Sequence, residues 1–205
     1  MSENNPNSRL EAFCDGVFAI ALTLLIIDVK LPSSESIQST AEFWHALGHI
    51  APSIFAFILS FGIILITWVN HHAALKLVQR SSVSFTYANG FLLFTVVVMP
   101  FPTALLGEHL LTNHAAPAVV LYECVMALQA IGWILMARSA VGNHLEKSEQ
   151  AGQMIRRNGT FGYYALALYS LCAIVAIWFP LAIAVVTTII WIFWLVYGIT
   201  MKHEG

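Results

Sequence analysis

The chain has 205 residues, 59% of them hydrophobic and only 10% charged, with a formal net charge of −2. A soluble globular domain carries about 25% charged residues, so a soluble fold is excluded and the chain reads as a membrane protein. Net charge this close to zero also argues against a nucleic-acid partner.

A spanning helix needs about 20 mostly apolar residues. By that measure residues 1–205 form one all-helical domain of six spans with short loops, leaving no room for a soluble domain. Residues 1–8 are polar, with Glu3 the only charge, so no cleavable signal peptide is expected ahead of the first span. That span covers about residues 9–30. On a helix turning about 100° per residue, Phe13, Gly16, Val17, Ile20, Thr23, Leu24, Ile27 and Leu31 share one stripe. Asp15 lies roughly 140° from Ile20, beside Phe18, Ala19 and Leu22. One face is thus an apolar column with a single hydroxyl, and the other carries a carboxylate. On composition alone the column reads as lipid-facing; if it lined a pathway instead, Asp15 would not share that pathway with Ile20. The pairs Ala12/Gly16 and Gly16/Ala19 allow close helix approach, a common and unspecific feature.

Residues 32–47 form a polar connection rich in Ser and Thr. Glu42, His45 and His49 fall on one helical face at its end. Two His at i, i+4 is a zinc-ligand spacing, but so small a set on an outer loop reads as coincidence. The second span covers about residues 50–69, with Pro52 near its start, and a basic turn over 70–84 follows. The third, about 85–106, contains Pro100 and Pro102 near its end, where a kink is expected. A loop over 107–116 leads to the fourth span, about 117–137. There Glu123 reads as bonding to another helix or reaching the interface, and Gln129 as a packing hydrogen bond. A polar segment over 138–160 precedes the fifth span, about 161–179, and Pro180 marks a tight turn into the sixth, about 181–200. Cys14, Cys124 and Cys172 all sit in apolar runs and read as small buried hydrophobes, not as a disulfide set or a metal site.

Lys and Arg concentrate on the cytoplasmic side of membrane proteins. With the N-terminus inside, that side holds Arg9, Lys76, Arg80, Arg138, Lys147, Arg156, Arg157 and Lys202, against Lys30 alone outside. Both termini are therefore expected in the cytoplasm, the chain being a multi-pass protein of the cell membrane. No span repeats Arg as a voltage sensor does, and no Thr-Val-Gly-Tyr-Gly filter is present. No internal repeat is seen either, so any pore symmetry has to come from oligomerisation.

A carboxylate inside a span costs about 3 kcal/mol unless something holds it. Trp68, Asn70, His71 and His72 end the second span on the same side and offer donors at the depth of Asp15, with Asn89 near the start of the third. A lock between helices is favoured here over a proton relay. His71 and His72 are adjacent and point apart, so they do not share a metal. Catalytic triads and Gly-rich phosphate loops are absent from the sequence, and no enzyme, cofactor or metal is expected.

The run Arg9-x-x-x-Phe13-x-Asp15, continuing through Gly16-Val17-Phe18-Ala19-Ile20-Ala21-x-Thr23-Leu24-Leu25, resembles the signature of the transmembrane protein 175 family, potassium channels without a filter loop. The run Trp68-Val69-Asn70-His71-His72 and the six-span pattern extend the resemblance. It implies a homotetramer in the lipid bilayer, permeable to potassium ions, in which the first helix lines the pore. Ile20 would form the tightest apolar ring, with Thr23, Leu24 and Ile27 continuing outward. Arg9, Phe13, Cys14 and Asp15, with Trp68 and His71 or His72, would form an interhelical hydrogen-bond lock. The family reads Phe-Ser-Asp where this chain has Cys14, which exchanges a good donor for a weak one. Two competing functions are a proton-coupled transporter using Asp15, Glu123 and histidines, and a membrane scaffold without a pore.

Overall fold

The computed structural model describes residues 6–30 and 37–200; Leu31 and Lys202 lie outside them. Among these described residues eight helices follow one another: α1 (Ser8–Leu24), α2 (Thr40–His49), α3 (Ala51–Lys76), α4 (Val83–Val98), α5 (Pro100–His109), α6 (Ala115–Gly142), α7 (Glu149–Val175) and α8 (Pro180–Thr200). Among the described residues the only β-type pairing is an isolated bridge between Val78 and Glu146. Among the described residues three stretches are long and apolar enough to cross a membrane: Ala51–Lys76, Val83–His109 and Ala115–Gly142.

Local chemistry sets the helix ends. The Ser39 hydroxyl accepts from the Glu42 N–H while the Glu42 carboxylate accepts from the Ser39 N–H, a reciprocal cap on α2. Ser82 and Ser148 accept in the same way from the N–H groups of Phe85 and Ala151, starting α4 and α7. The expected kink near Pro100 is a break between α4 and α5 at Met99. A proline there has no N–H to donate and crowds the carbonyl four residues back, so Met99 closes the turn onto the Val96 carbonyl instead.

Four expectations need correction. α1 ends at Leu24 and not near residue 30, because the Thr23 hydroxyl bonds the Ile20 carbonyl and the next turns tighten to Ile27 N–H···O Leu24 and Val29 N–H···O Ile26. α3 runs to Lys76, so His71 and His72 lie on a helix and not in a turn. The polar segment over 138–160 is mostly helical, since α6 continues to Gly142 and Ser148 caps a new start at Glu149. Cys14 and Cys172 are buried, but Cys124 is exposed.

α6 and α7 form an antiparallel pair, and α6 also touches α4, α5 and α8; α1 lies against α3 and α4. The start of α1, the α3–α4 turn and the α6–α7 turn meet at one end, where Asn7 bonds Val78 and Gln79 bonds Leu145. At the other end Lys30 and Glu108 form an ion pair of 3.5 Å. In lipid no hydrophobic force pulls helices together, so close packing has to hold them. Small residues permit it. A Cβ on Gly107 would lie 2.7 Å from the Ser53 Cα, and one on Gly162 would lie 2.8 Å from Ile134 Cγ1.

Replacing Gly107 by Ala is therefore expected to force α5 off the α3 backbone at a cost of about 1–3 kcal/mol, the range for overpacking. At Gly16 nothing lies within 4 Å of the added carbon, so Gly16→Ala is expected to leave the unfolding midpoint unchanged. Melts of both variants in detergent, followed by tryptophan fluorescence, check the contrast.

Candidate functional site: the first helix and its tie to the bundle

Two faces of α1 separate by burial. Cys14, Phe18, Ala21 and Leu25 recur at helical spacing and are buried against α3 and α4. On the opposite side Phe13 is 63% exposed, Ile20 61%, Leu24 40% and Ile27 70%, with Thr23 exposed among them. The column drawn from the sequence is thus an uncovered apolar face of this subunit. Thr23 contributes its oxygen to that face with the proton turned inward, since the hydroxyl donates to the Ile20 carbonyl at 2.8 Å.

The polar residues expected to hold α1 come together in two contacts. At the surface the Trp68 indole N–H donates to Asp15 Oδ1 at 2.8 Å. In the interior Asn89 joins three helices. Its Nδ2 donates to Cys14 Sγ at 3.2 Å, and its Oδ1 lies 2.6 Å from His71 Nε2. An amide oxygen only accepts, so His71 carries its proton on Nε2 in this arrangement. The His71 ring packs on Phe18, with centroids 5.3 Å apart, and on Trp133 at 6.5 Å. His71 and Asn89 are both buried. His72 is half-buried beside the Trp68 ring, while Arg9 and Phe13 are exposed and outside the cluster.

Cys14 therefore serves here as an acceptor for an amide, a role that does not call on its weak S–H donor. Sulfur accepts poorly, but it spares the Asn89 N–H from facing hydrocarbon with no partner.

Other expected groups lie elsewhere. Glu123 on α6 is buried and takes a hydrogen bond from Thr187 of α8, so of the two sequence alternatives it bonds to another helix and does not reach the interface. Glu42 is engaged in its cap, leaving His45 and His49, whose rings meet edge-on at 4.5 Å. No group of three or more metal-ligating side chains occurs among the described residues.

The sequence reading missed three features. One is a hydroxyl network in which Ser60 of α3 meets Thr103 of α5 at 2.6 Å and Tyr122 of α6 at 2.9 Å. Another is the ring of Trp133 beside His71. The third is Asn7, buried and bonded through Nδ2 to the Val78 carbonyl at 3.0 Å. Each pairs residues far apart in the chain, and no local spacing marks them.

Residues 9–100 match the family model described as "Endosomal/lysosomal potassium channel TMEM175". A potassium channel of Chamaesiphon minutus is 43% identical over 129 residues, covering 63% of this chain and 63% of the relative. One of Streptomyces collinus is 42% identical over 137 residues, covering 64% and 65% respectively. The chain thus spans under two thirds of the length of these relatives. Among solved structures, that of a "lysosomal potassium-selective channel TMEM175 homolog" from Chamaesiphon minutus superposes with a TM-score of 0.80 at 31% identity, over 93% of this chain and 97% of that one.

Substitutions at Cys14 and Asn89 separate acceptor chemistry from mere bulk. Cys14→Ser keeps an acceptor for Asn89 and is expected to preserve or raise the unfolding midpoint. Asn89→Leu leaves both His71 and Cys14 without a polar partner and is expected to cost about 1–2 kcal/mol. Thermal unfolding in detergent, with size-exclusion profiles to report assembly, measures both.

Proposed function

The chain belongs to the TMEM175 family, a family of channels and not of enzymes, and from that premise we propose that it forms a potassium-permeable pore lined by α1. The observation that carries this reading is the uncovered column of Ile20, Leu24 and Ile27 on a helix whose other face is buried. A single subunit encloses no axis with that column, so the pore requires several copies of it about a symmetry axis. We take the assembly to be the homotetramer that the family resemblance implies, with six spans per chain and both termini in the cytoplasm of the cell membrane.

In this reading Ile20 is the main constriction. A ring of branched apolar side chains closes a narrow pore by steric contact and by expelling water. Leu24 and Ile27 continue the lining outward, and Thr23 offers a ring of oxygen lone pairs whose protons are held by the Ile20 carbonyls. Lone pairs suit a cation that has lost part of its hydration shell. Apolar rings supply no coordinating dipoles, so discrimination of potassium from sodium is modest. Only residues 176–179 separate α7 from α8, too few for a re-entrant filter loop. Asp15–Trp68 and Cys14–Asn89–His71 are the lock that keeps the charged side of α1 turned away from the pore. Arg9, Phe13 and His72 stand at the same end of α1 and α3 and complete it when subunits meet.

The transporter alternative gains no relay from this geometry. Asp15 is bonded to Trp68 and Glu123 to Thr187, in separate clusters.

Purified protein in planar bilayers, with potassium and sodium exchanged across the membrane, tests the proposal. Potassium current in discrete steps is expected. Ile20→Asn is expected to change conductance or the potassium/sodium ratio at an unchanged unfolding midpoint, whereas Asp15→Ala reduces the yield of assembled protein. A silent wild type, or an Ile20→Asn variant that conducts like the wild type, would end the reading.

A further inference from the structure

Asn7 stands at the N-cap of α1 and yet does not cap it. An Asn in this position ordinarily turns its side-chain oxygen back to the second or third N–H of its own helix. Here the side chain is 2% exposed and reaches across 71 residues to the Val78 carbonyl. Its target belongs to a second contact, between two turns. Gln79 N–H donates to the Leu145 carbonyl at 2.8 Å, Lys147 N–H donates to the Leu77 carbonyl at 3.0 Å, and Val78 pairs with Glu146 between them. Val78 and Leu145 are buried in an apolar cluster of their own with Leu75, Phe85 and Ile155, and Leu10 of α1 packs against it. The first turn of α1 is thus seated on a platform made by the α3–α4 and α6–α7 turns.

We infer that Asn7 is a positioning residue, and that the paired turns 77–79 and 145–147 are the seat that fixes where α1 begins. The consequence for conduction rests on α1 being the pore helix, as proposed above; the seat itself does not. At the start of α1 the Asn7 amide bonds the seat through its side chain, and Leu10 packs against it. A disturbance of the paired turns, remote from the uncovered column, therefore reaches α1 through this amide and through Leu10.

Asn7→Asp separates the seat from an ordinary cap. Aspartate caps a helix as well as asparagine does, but it has no N–H to give Val78. Lys147→Pro removes a bond of the paired turns while leaving the Val78–Gln79 peptide that Asn7 bonds chemically unchanged. Should it fail to assemble, Gln79→Pro removes the other bond, at the cost of also restricting Val78. Full-length protein in liposomes is followed by hydrogen–deuterium exchange at the amides of Glu11 to Phe13, and by single-channel open probability. Exchange is expected to quicken about fivefold in Asn7→Asp and in the turn variant, the effect of one lost hydrogen bond. The double variant should quicken exchange by less than the product of the two single effects, because both act in part through the Asn7–Val78 contact; fully multiplicative effects would overturn the inference. Wild-type exchange in Asn7→Asp would show a dispensable contact and overturn the inference, as would faster exchange in Asn7→Asp alone. Open probability should shift with exchange; if it holds constant while exchange quickens, Asn7 does not position the pore helix. If the wild type carries no current, the channel reading fails while the exchange data still decide the seat.

Discussion

A helix bundle in hydrocarbon has no water with which to satisfy a buried amide, and the contact of α1 with α3 and α4 is arranged around that shortage at Asn89. The side chain has two polar ends pointing in different directions. One meets a ring nitrogen of His71 on α3 and the other meets the thiol of Cys14 on α1. Remove Asn89 and both His71 and Cys14 lose this partner; remove either of those and one end of the amide faces apolar neighbours. His71 is held on its faces as well, by Phe18 and by Trp133 of α6. Four helices are therefore registered against one another through two side chains, Asn89 and His71.

The energies involved are modest. Interhelical hydrogen bonds in membranes average about 0.6 kcal/mol and rarely exceed ~1.7, so the bonds from Asn89 and Trp68 together contribute a few kcal/mol at most. What they supply is direction. Packing of Phe18, Ala21 and Leu25 against the bundle is non-directional and would tolerate a small rotation of α1. The bonds at Cys14 and Asp15 would not, because a rotation of one residue step carries both groups out of reach of their partners. Rotation of α1 is what would exchange an isoleucine for a carboxylate on the uncovered face. In the proposed channel the lock thus specifies which chemistry faces the axis.

Much of this was legible in the sequence, and the reason is periodicity. An apolar run long enough to cross a bilayer, with its charge on one side of a helical wheel, fixes the two faces of α1 without any structural knowledge. Matching depth brought Asp15 together with Trp68, and placed His71 and Asn89 beside them. What stayed hidden depends on contacts between distant segments. Nothing around Asn7 distinguishes a helix cap from a tertiary tie, and nothing around Ser60 announces Thr103 and Tyr122. Helix ends were misplaced for a related reason. His71, His72 and Lys76 are polar enough to suggest a turn, but α3 continues through them because His71 and Leu75 are buried on its inner face. Periodicity does not decide between an axis and lipid for the bare column; the resemblance to a known family is what favours the axis in the proposed channel.

Along α1 the directional ties are unevenly placed. Asn7 immediately precedes it, Cys14 and Asp15 lie in its first half, and Leu10 packs there on both buried clusters. Beyond Asp15 the described contacts of α1 with its neighbours are apolar up to the exposed Lys30–Glu108 ion pair past its end, the Thr23 hydroxyl turns back on its own backbone, and the regular hydrogen bonding stops after Leu24. Ile20 stands just past the last polar tie within the helix. In the proposed pore this puts the narrowest ring where a firmly registered segment gives way to one that can slide on its neighbours without breaking a hydrogen bond. A ring at that boundary can keep its radius while the helix beyond it adjusts, or widen by a small outward shift that leaves the lock intact. Either movement leaves the carboxylate of Asp15 bonded to Trp68, so on this arrangement opening does not require the charged side of α1 to be exposed.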